Sequence, residues 1–94
     1  MNTTYYKNNK LHRINGPAIE FANGTKEWYL NGKYHRINGP AVENANGSKS
    51  WYQHDKLHRE DGPAIEESDG TKYWFLNVKQ LTQQEFNEYH VLQK

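Results

Sequence analysis

The sequence predicts a mostly β protein. It reads as an antiparallel meander of three 23-residue hairpin repeats, with a partial unit in front and a short C-terminal helix behind. Three observations carry this. The phrase "HRINGPA" stands at residues 12–18 and 35–41 and returns as "HREDGPA" at 58–64. Trp28, Trp51 and Trp74 keep the same period, each followed by a second aromatic: Tyr29, Tyr52, Phe75. Between phrase and Trp, each unit carries Asn-Gly or Asp-Gly, at Gly24, Gly47 and Gly70. A fixed period marks a repeat array, and short strands between regular turn signals mark an all-β fold.

The elements follow in chain order. Counting back one period from Trp28-Tyr29 lands on Tyr5-Tyr6, and from Lys33 on Lys10, so a partial unit spans about 4–10. The full units span about 12–33, 35–56 and 58–79. In the first, "PAIEF" is a strand, since proline is tolerated at a strand's first residue. "ANGT" is a turn expected to be type I′, because Asn-Gly accepts positive φ. "KEWYL" is the return strand, rich in β-favouring aromatics. "NGK", with its equivalents "HDK" and "NVK", turns the chain toward the next His-Arg. Gly16, Gly39 and Gly62 begin a further bend before the following strand.

A lone hairpin is marginal. Repetition extends one sheet, lines up like residues in rows, and lets each unit cover its neighbour's apolar side. The expected body is thin and elongated, residues 1–80, with aromatics supplying most of the burial. The tail, 81–94, lacks turn residues. Thr82-Gln83-Gln84-Glu85 fits a capping box, and Phe86, Tyr89 and Leu92 fall on one helical face. The helix is expected to cover the last hairpin; binding a partner is its alternative role.

Composition narrows the function. Ninety-four residues make one domain. Apolar content is 34% and mean hydropathy −1.19, which suits disorder, but a net charge of +1 and 14% aromatics argue for a folded chain. The absence of cysteine fits a reducing compartment, and a polar start without an apolar run reads as cytoplasmic. Near-neutral charge argues against nucleic-acid binding.

The unit resembles the MORN repeat on "WYLNGKYHRINGPAVENANGS" (28–48): an aromatic strand, a "DGK"-like turn, a bend, and a second strand ending in "NGS". The resemblance covers about residues 5–79. It departs where that family places Gly-Glu between its aromatics, since Trp-Tyr stands here. The "HRxDGPA" phrase is similar to short hairpin-repeat proteins of phages, giant viruses and bacteria, a related bacterial group of which is antitoxin-like. The resemblance implies a single-layer sheet and binding rather than catalysis. It further implies a phage-encoded inhibitor of a host defence complex, anti-CRISPR-like. The alternatives are a MORN-like module for acidic lipids or other polyanions, and an antitoxin-like or self-assembling scaffold.

The repeated residues are weighed on chemistry. Equivalent histidines lie two strands apart, roughly 10 Å at ~4.8 Å per strand. That is too far for His12, His35 and His58 to share a zinc ion, whose ligands sit at about 2 Å. His54 and His90 have no partner at ligand spacing, so no metal and no cofactor are expected, and each repeated His is expected to bond backbone in its bend. Arg13, Arg36 and Arg59 recur with Glu20, Glu43 and Glu66, which suits cross-strand pairing. Together with Lys26, Lys49 and Lys72, they could instead form a cationic stripe. Trp28, Trp51 and Trp74 read as a core ladder. Tyr29, Tyr52 and Phe75 must then point to the other face, where a short helix cannot cover them. These three aromatics and the three arginines are the candidate partner surface, with shielding by Lys and Arg stems as the alternative. No catalytic constellation is visible, and an enzyme is not expected. The expected partner is another protein, with a homodimer through the edge at Tyr5-Tyr6 or through the C-terminal helix as a further option.

Overall fold

The computed structural model describes residues 1–92, with side chains through Tyr89. The partial unit supplies β1 (Thr3–Thr4), β2 (Tyr6–Lys7) and β3 (Lys10–Leu11). The first full unit supplies β4 (Ile19–Glu20), β5 (Lys26–Glu27), β6 (Tyr29–Leu30) and β7 (Lys33–Tyr34). The second supplies β8 (Val42–Glu43), β9 (Lys49–Ser50), β10 (Tyr52–Gln53) and β11 (Lys56–Leu57). The third supplies β12 (Ile65–Glu66), β13 (Lys72–Leu76) and β14 (Lys79–Leu81), and α1 (Gln83–Leu92) follows.

The meander is the expected one, with an added fold in every unit but the last. One sheet runs β1-β4-β5-β8-β9-β12-β13-β14, and β2-β3, β6-β7 and β10-β11 are separate two-stranded ribbons. The return strand "KEWYL" divides at its Trp. β5 stays in the main sheet beside β8, while β6 pairs with β7. Trp28 is the joint: its N–H donates to Ala41 C=O at 2.7 Å, and its carbonyl accepts from His35 N–H at 3.1 Å. Tyr5 holds the same place in the partial unit, donating to Ala18 C=O at 2.8 Å. In the last unit β13 runs unbroken across Trp74.

The geometry expected of the "ANGT" turns is found instead in the two-residue turns at the other end of each unit. At "ANGT" only Gly24 has positive φ, at 96°, and Gly47 (96°) and Gly70 (94°) repeat it. Gly24 N–H donates to Phe21 C=O at 3.0 Å, and Phe21 N–H to Thr25 C=O at 2.8 Å. This is a type I turn closed by a left-handed glycine, the three-residue alternative to type I′. Asn23 Oδ1 accepts from Thr25 N–H at 2.9 Å, which holds Asn23 out of the left-handed region. The two-residue turns lie at the opposite end: Asn31-Gly32 (φ 52° and 80°), His54-Asp55 (51° and 68°) and Asn77-Val78 (50° and 75°). Val78 is β-branched in a conformation that resists branching, a strain of about 1–3 kcal/mol.

The register decides what each face carries. Glu20, Lys26, Glu43, Lys49, Glu66 and Lys72 follow one another across the sheet as direct cross-strand neighbours. Acid and base alternate, so the lysines do not form a stripe of one sign. At the other end of the strands, units stack through hydroxyl and amide oxygens. Ala22 N–H donates to Asn2 Oδ1, Ala45 N–H to Thr25 Oγ1 and Ser68 N–H to Ser48 Oγ, each at 3.0 Å. Asn2 is one period before Thr25, so the partial unit starts earlier than the expected residue 4. The N-terminal edge strand is β1, Thr3–Thr4, rather than Tyr5-Tyr6.

The body measures 43 × 29 × 18 Å. So thin a sheet cannot enclose large side chains, and the three tryptophans are half-buried. Full burial falls to Ala18, Ala41 and Ala64, at 0% exposure, and to Phe86 at 5%. The aromatics therefore share the burial with a row of methyl groups. The capping box forms as expected: Thr82 N–H donates to Glu85 Oε1 at 2.9 Å and Glu85 N–H to Thr82 Oγ1 at 3.1 Å. It aims Phe86 at Trp74, with ring centroids 6.5 Å apart. The helix thus covers the last Trp. The side chain of Leu92 and residues 93–94 lie outside the described residues.

Candidate functional site

The phrase His-Arg-x-x-Gly-Pro is a construction joint. The Arg36 guanidinium lies 3.8 Å above the Trp28 ring of the preceding return strand. Arg59 lies 3.9 Å above Trp51, and Arg13 lies 4.0 Å above Tyr5. The other side of each guanidinium rests on the glycine of its own bend. A Cβ on Gly39 would stand 2.9 Å from Arg36 Cζ, and one on Gly62 would stand 2.7 Å from Arg59 Cζ. That sandwich explains why Arg and Gly recur together. The tryptophans are not stacked on one another; Trp28 and Trp51 each take a cation from the next unit. Thr82 stands where a fourth Arg would be, and Phe86 supplies the contact to Trp74 instead.

Each Arg also ties its bend. Nη1 of Arg13, Arg36 and Arg59 donates to the carbonyl of Pro17, Pro40 and Pro63 at 3.3, 3.1 and 3.1 Å. Arg36 pairs with Glu43 at 2.8 Å and Arg59 with Glu66 at 2.7 Å, their side chains 28% and 20% exposed. The histidines act as acceptors: Nδ1 of His12, His35 and His58 takes the backbone N–H of Asn31, His54 and Asn77 at 2.9, 3.0 and 2.9 Å. This is the backbone bond expected of them. An acceptor Nδ1 requires neutral imidazole with its proton on Nε2. Burial, aided by the nearby His54 ring, pushes the His35 pKa below its ordinary value.

Tyr29, Tyr52 and Phe75 are half-buried. Tyr34 inserts between the first two, with ring centroids 4.6 Å from Tyr29 and 4.9 Å from Tyr52. Tyr29 donates its hydroxyl to Glu27 at 2.9 Å. Burial raises the pKa of both Tyr29 and Tyr52, with hydrogen bonds adding to it at Tyr29 and the neighbouring Tyr34 and Asp55 at Tyr52. The six candidate residues therefore separate: the arginines are clamped over Tyr5, Trp28 and Trp51, Tyr29 and Tyr52 stack on either side of Tyr34, and Phe75 lies half-buried apart from that stack. Tyr34 has no aromatic counterpart one period on, where Leu57 stands, so the period could not reveal it.

The joints line up along one side and leave grooves between them. The first, about 710 Å³, lies between the bends at 12–17 and 35–40, with Trp28 and Leu30 beneath. Ile14 and Ile37 form its walls and are 78% and 73% exposed. Lys7, Arg13 and Arg36 line it, and no acidic residue does. The second, about 680 Å³, lies between the bends at 35–40 and 58–63, with Trp51 and Gln53 beneath and Glu60 and Asp61 on one wall. Ile14 and Ile37 were outside the sequence candidates. Their signal is an isoleucine held twice in a polar bend where the third unit has Glu60.

No protein-family model, curated protein or solved structure matches this chain. Among the described residues no three His, Asp or Glu side chains gather as metal ligands would. No described helix is long and apolar enough to cross a membrane.

Proposed function

We propose that this chain is a small non-enzymatic protein-binding module whose contact surface is the side bearing the His-Arg bends. The observation that carries this is the pair Ile14 and Ile37, 78% and 73% exposed on either side of a groove. The architecture does not call for them, because Glu60 fills the equivalent place in the third unit. Exposed apolar side chains around a half-buried Trp are the composition of a protein interface core. Along the main sheet Glu and Lys alternate, so that row offers no stripe of positive charge to a lipid or nucleic-acid surface. The finer reading, a phage-encoded inhibitor acting on a host defence complex in the cytoplasm, draws its support from the "HRxDGPA" resemblance. Assembly with a second copy through β1 is the other proposal, and light scattering at high concentration decides it. The test of the main reading is affinity capture from bacterial lysate with the wild-type chain and with Ile14→Glu/Ile37→Glu. A partner retained by the first and lost by the second is expected; equal recovery on both baits would overturn the reading.

A further inference from the structure

The three bends share one frame but not one chemistry. In the third, Asp61 Oδ1 accepts from Arg59 Nε at 2.8 Å, and Glu60 Oε1 lies 3.7 Å from His58 Nε2. In the first, Ile14 and Asn15 hold those two places. His12 Nε2 is buried with no hydrogen-bond partner. Its proton is there because Nδ1 already accepts from Asn31 N–H at 2.9 Å. Among the described residues Arg13 has no carboxylate within 4.0 Å, unlike Arg36 and Arg59. A buried donor without an acceptor is destabilising, and such a group calls for an explanation.

We propose that the first groove binds an acidic segment of a protein partner, its carboxylate meeting Arg13 and His12 and an adjoining apolar side chain lying between Ile14 and Ile37 over Trp28. The inference rests on the protein-binding reading above and names the partner's chemistry. The third bend is the template, because there the chain supplies with Asp61 a carboxylate on Arg59 that the first bend lacks. Charge complementarity points the same way: Lys7 and Arg13 line the groove beside Arg36, which Glu43 already pairs, and no acid lines it. A guanidinium fixed by a ring on one side and a glycine on the other is pre-oriented, so little side-chain entropy is lost on binding.

The test replaces Ile14→Glu together with Asn15→Asp, which writes the third unit's "HREDGP" into the first and is therefore compatible with the fold. Thermal unfolding should show a midpoint no lower than wild type. The probe is a short peptide of alternating aspartate and leucine, titrated while backbone amide shifts are followed by NMR. Amides at 12–16, 28–30 and 35–38 should move in the wild type. In the variant, affinity should fall by about tenfold or more, as loss of a charge-assisted contact predicts. A charge-matched control, Gln83→Glu with Asn87→Asp on exposed positions of α1, should bind as wild type. Unmoved groove amides, or equal binding by the Ile14→Glu/Asn15→Asp variant, would overturn the proposal. Tighter binding of a single-stranded oligonucleotide at the same amides would assign the groove to nucleic acid instead. Loss of a captured protein on Ile14→Glu/Ile37→Glu with a groove that ignores the peptide removes the acidic occupant and leaves the protein-binding reading standing.

Discussion

Replacing Arg59 by alanine tests whether the repeated arginines hold the fold or merely decorate it. Four contacts are lost, three of them of appreciable worth. The guanidinium over Trp51 at 3.9 Å is a cation–π contact, worth about 1 kcal/mol when partly desolvated. The bond to Pro63 C=O at 3.1 Å contributes about 1 kcal/mol. The pair with Glu66 joins side chains 20% and 34% exposed, so screening reduces it to about 0.5 kcal/mol. Asp61 is 85% exposed and adds nothing appreciable. Arg59→Ala should therefore destabilise by about 2–3 kcal/mol. Arg59→Lys keeps the charge but loses the flat stacking surface, and should recover less than half of that. The sharper measurement is a cycle with Gly62→Ala. Its Cβ would stand 2.7 Å from Arg59 Cζ, so in the wild type it pushes the guanidinium off the ring and costs about the same 2 kcal/mol. With Arg59 already absent that obstacle is gone, and Gly62→Ala should be near neutral. Urea unfolding followed by Trp fluorescence at constant m-value reads all four proteins. A coupling of about 2 kcal/mol is expected. Strictly additive costs, or Arg59→Ala within about 0.5 kcal/mol of wild type, would refute the sandwich.

Two further outcomes follow from the joints and the cap. His35 is lowered in pKa by burial and by His54, so the folded chain holds less proton there than the unfolded one. Its contribution is complete above about pH 6.5 and is lost as pH falls through the lower folded value. Stability of the wild type minus that of His35→Asn, followed by urea midpoint from pH 8 to pH 5, should decline toward acid; a flat or rising difference refutes the acceptor role of Nδ1. Phe86→Ala removes a side chain 5% exposed against Trp74, at a cost of about 3 kcal/mol. Trp emission should shift to longer wavelength in the native state, and an unshifted spectrum with unchanged stability would show that α1 does not cover the array.

Much of this protein was legible in the linear text because a repeat states its own geometry. The 23-residue period dictated rows of like residues, the Asn-Gly and Asp-Gly pairs marked the hairpins, and Thr82 with Glu85 announced the helix start. What period alone leaves open is which neighbour each row touches. Tertiary structure decided that Trp28 and Trp51 take arginines rather than one another, since strands two apart leave roughly 10 Å for a guanidinium to fill. It decided that the Trp is where a strand changes ladders, and that type I′ geometry belongs to the two-residue turns. The groove is the clearest case. Ile14 and Ile37 are one period apart in the chain, and only folding sets them on opposite sides of Trp28, beside an arginine that the first unit leaves without its carboxylate.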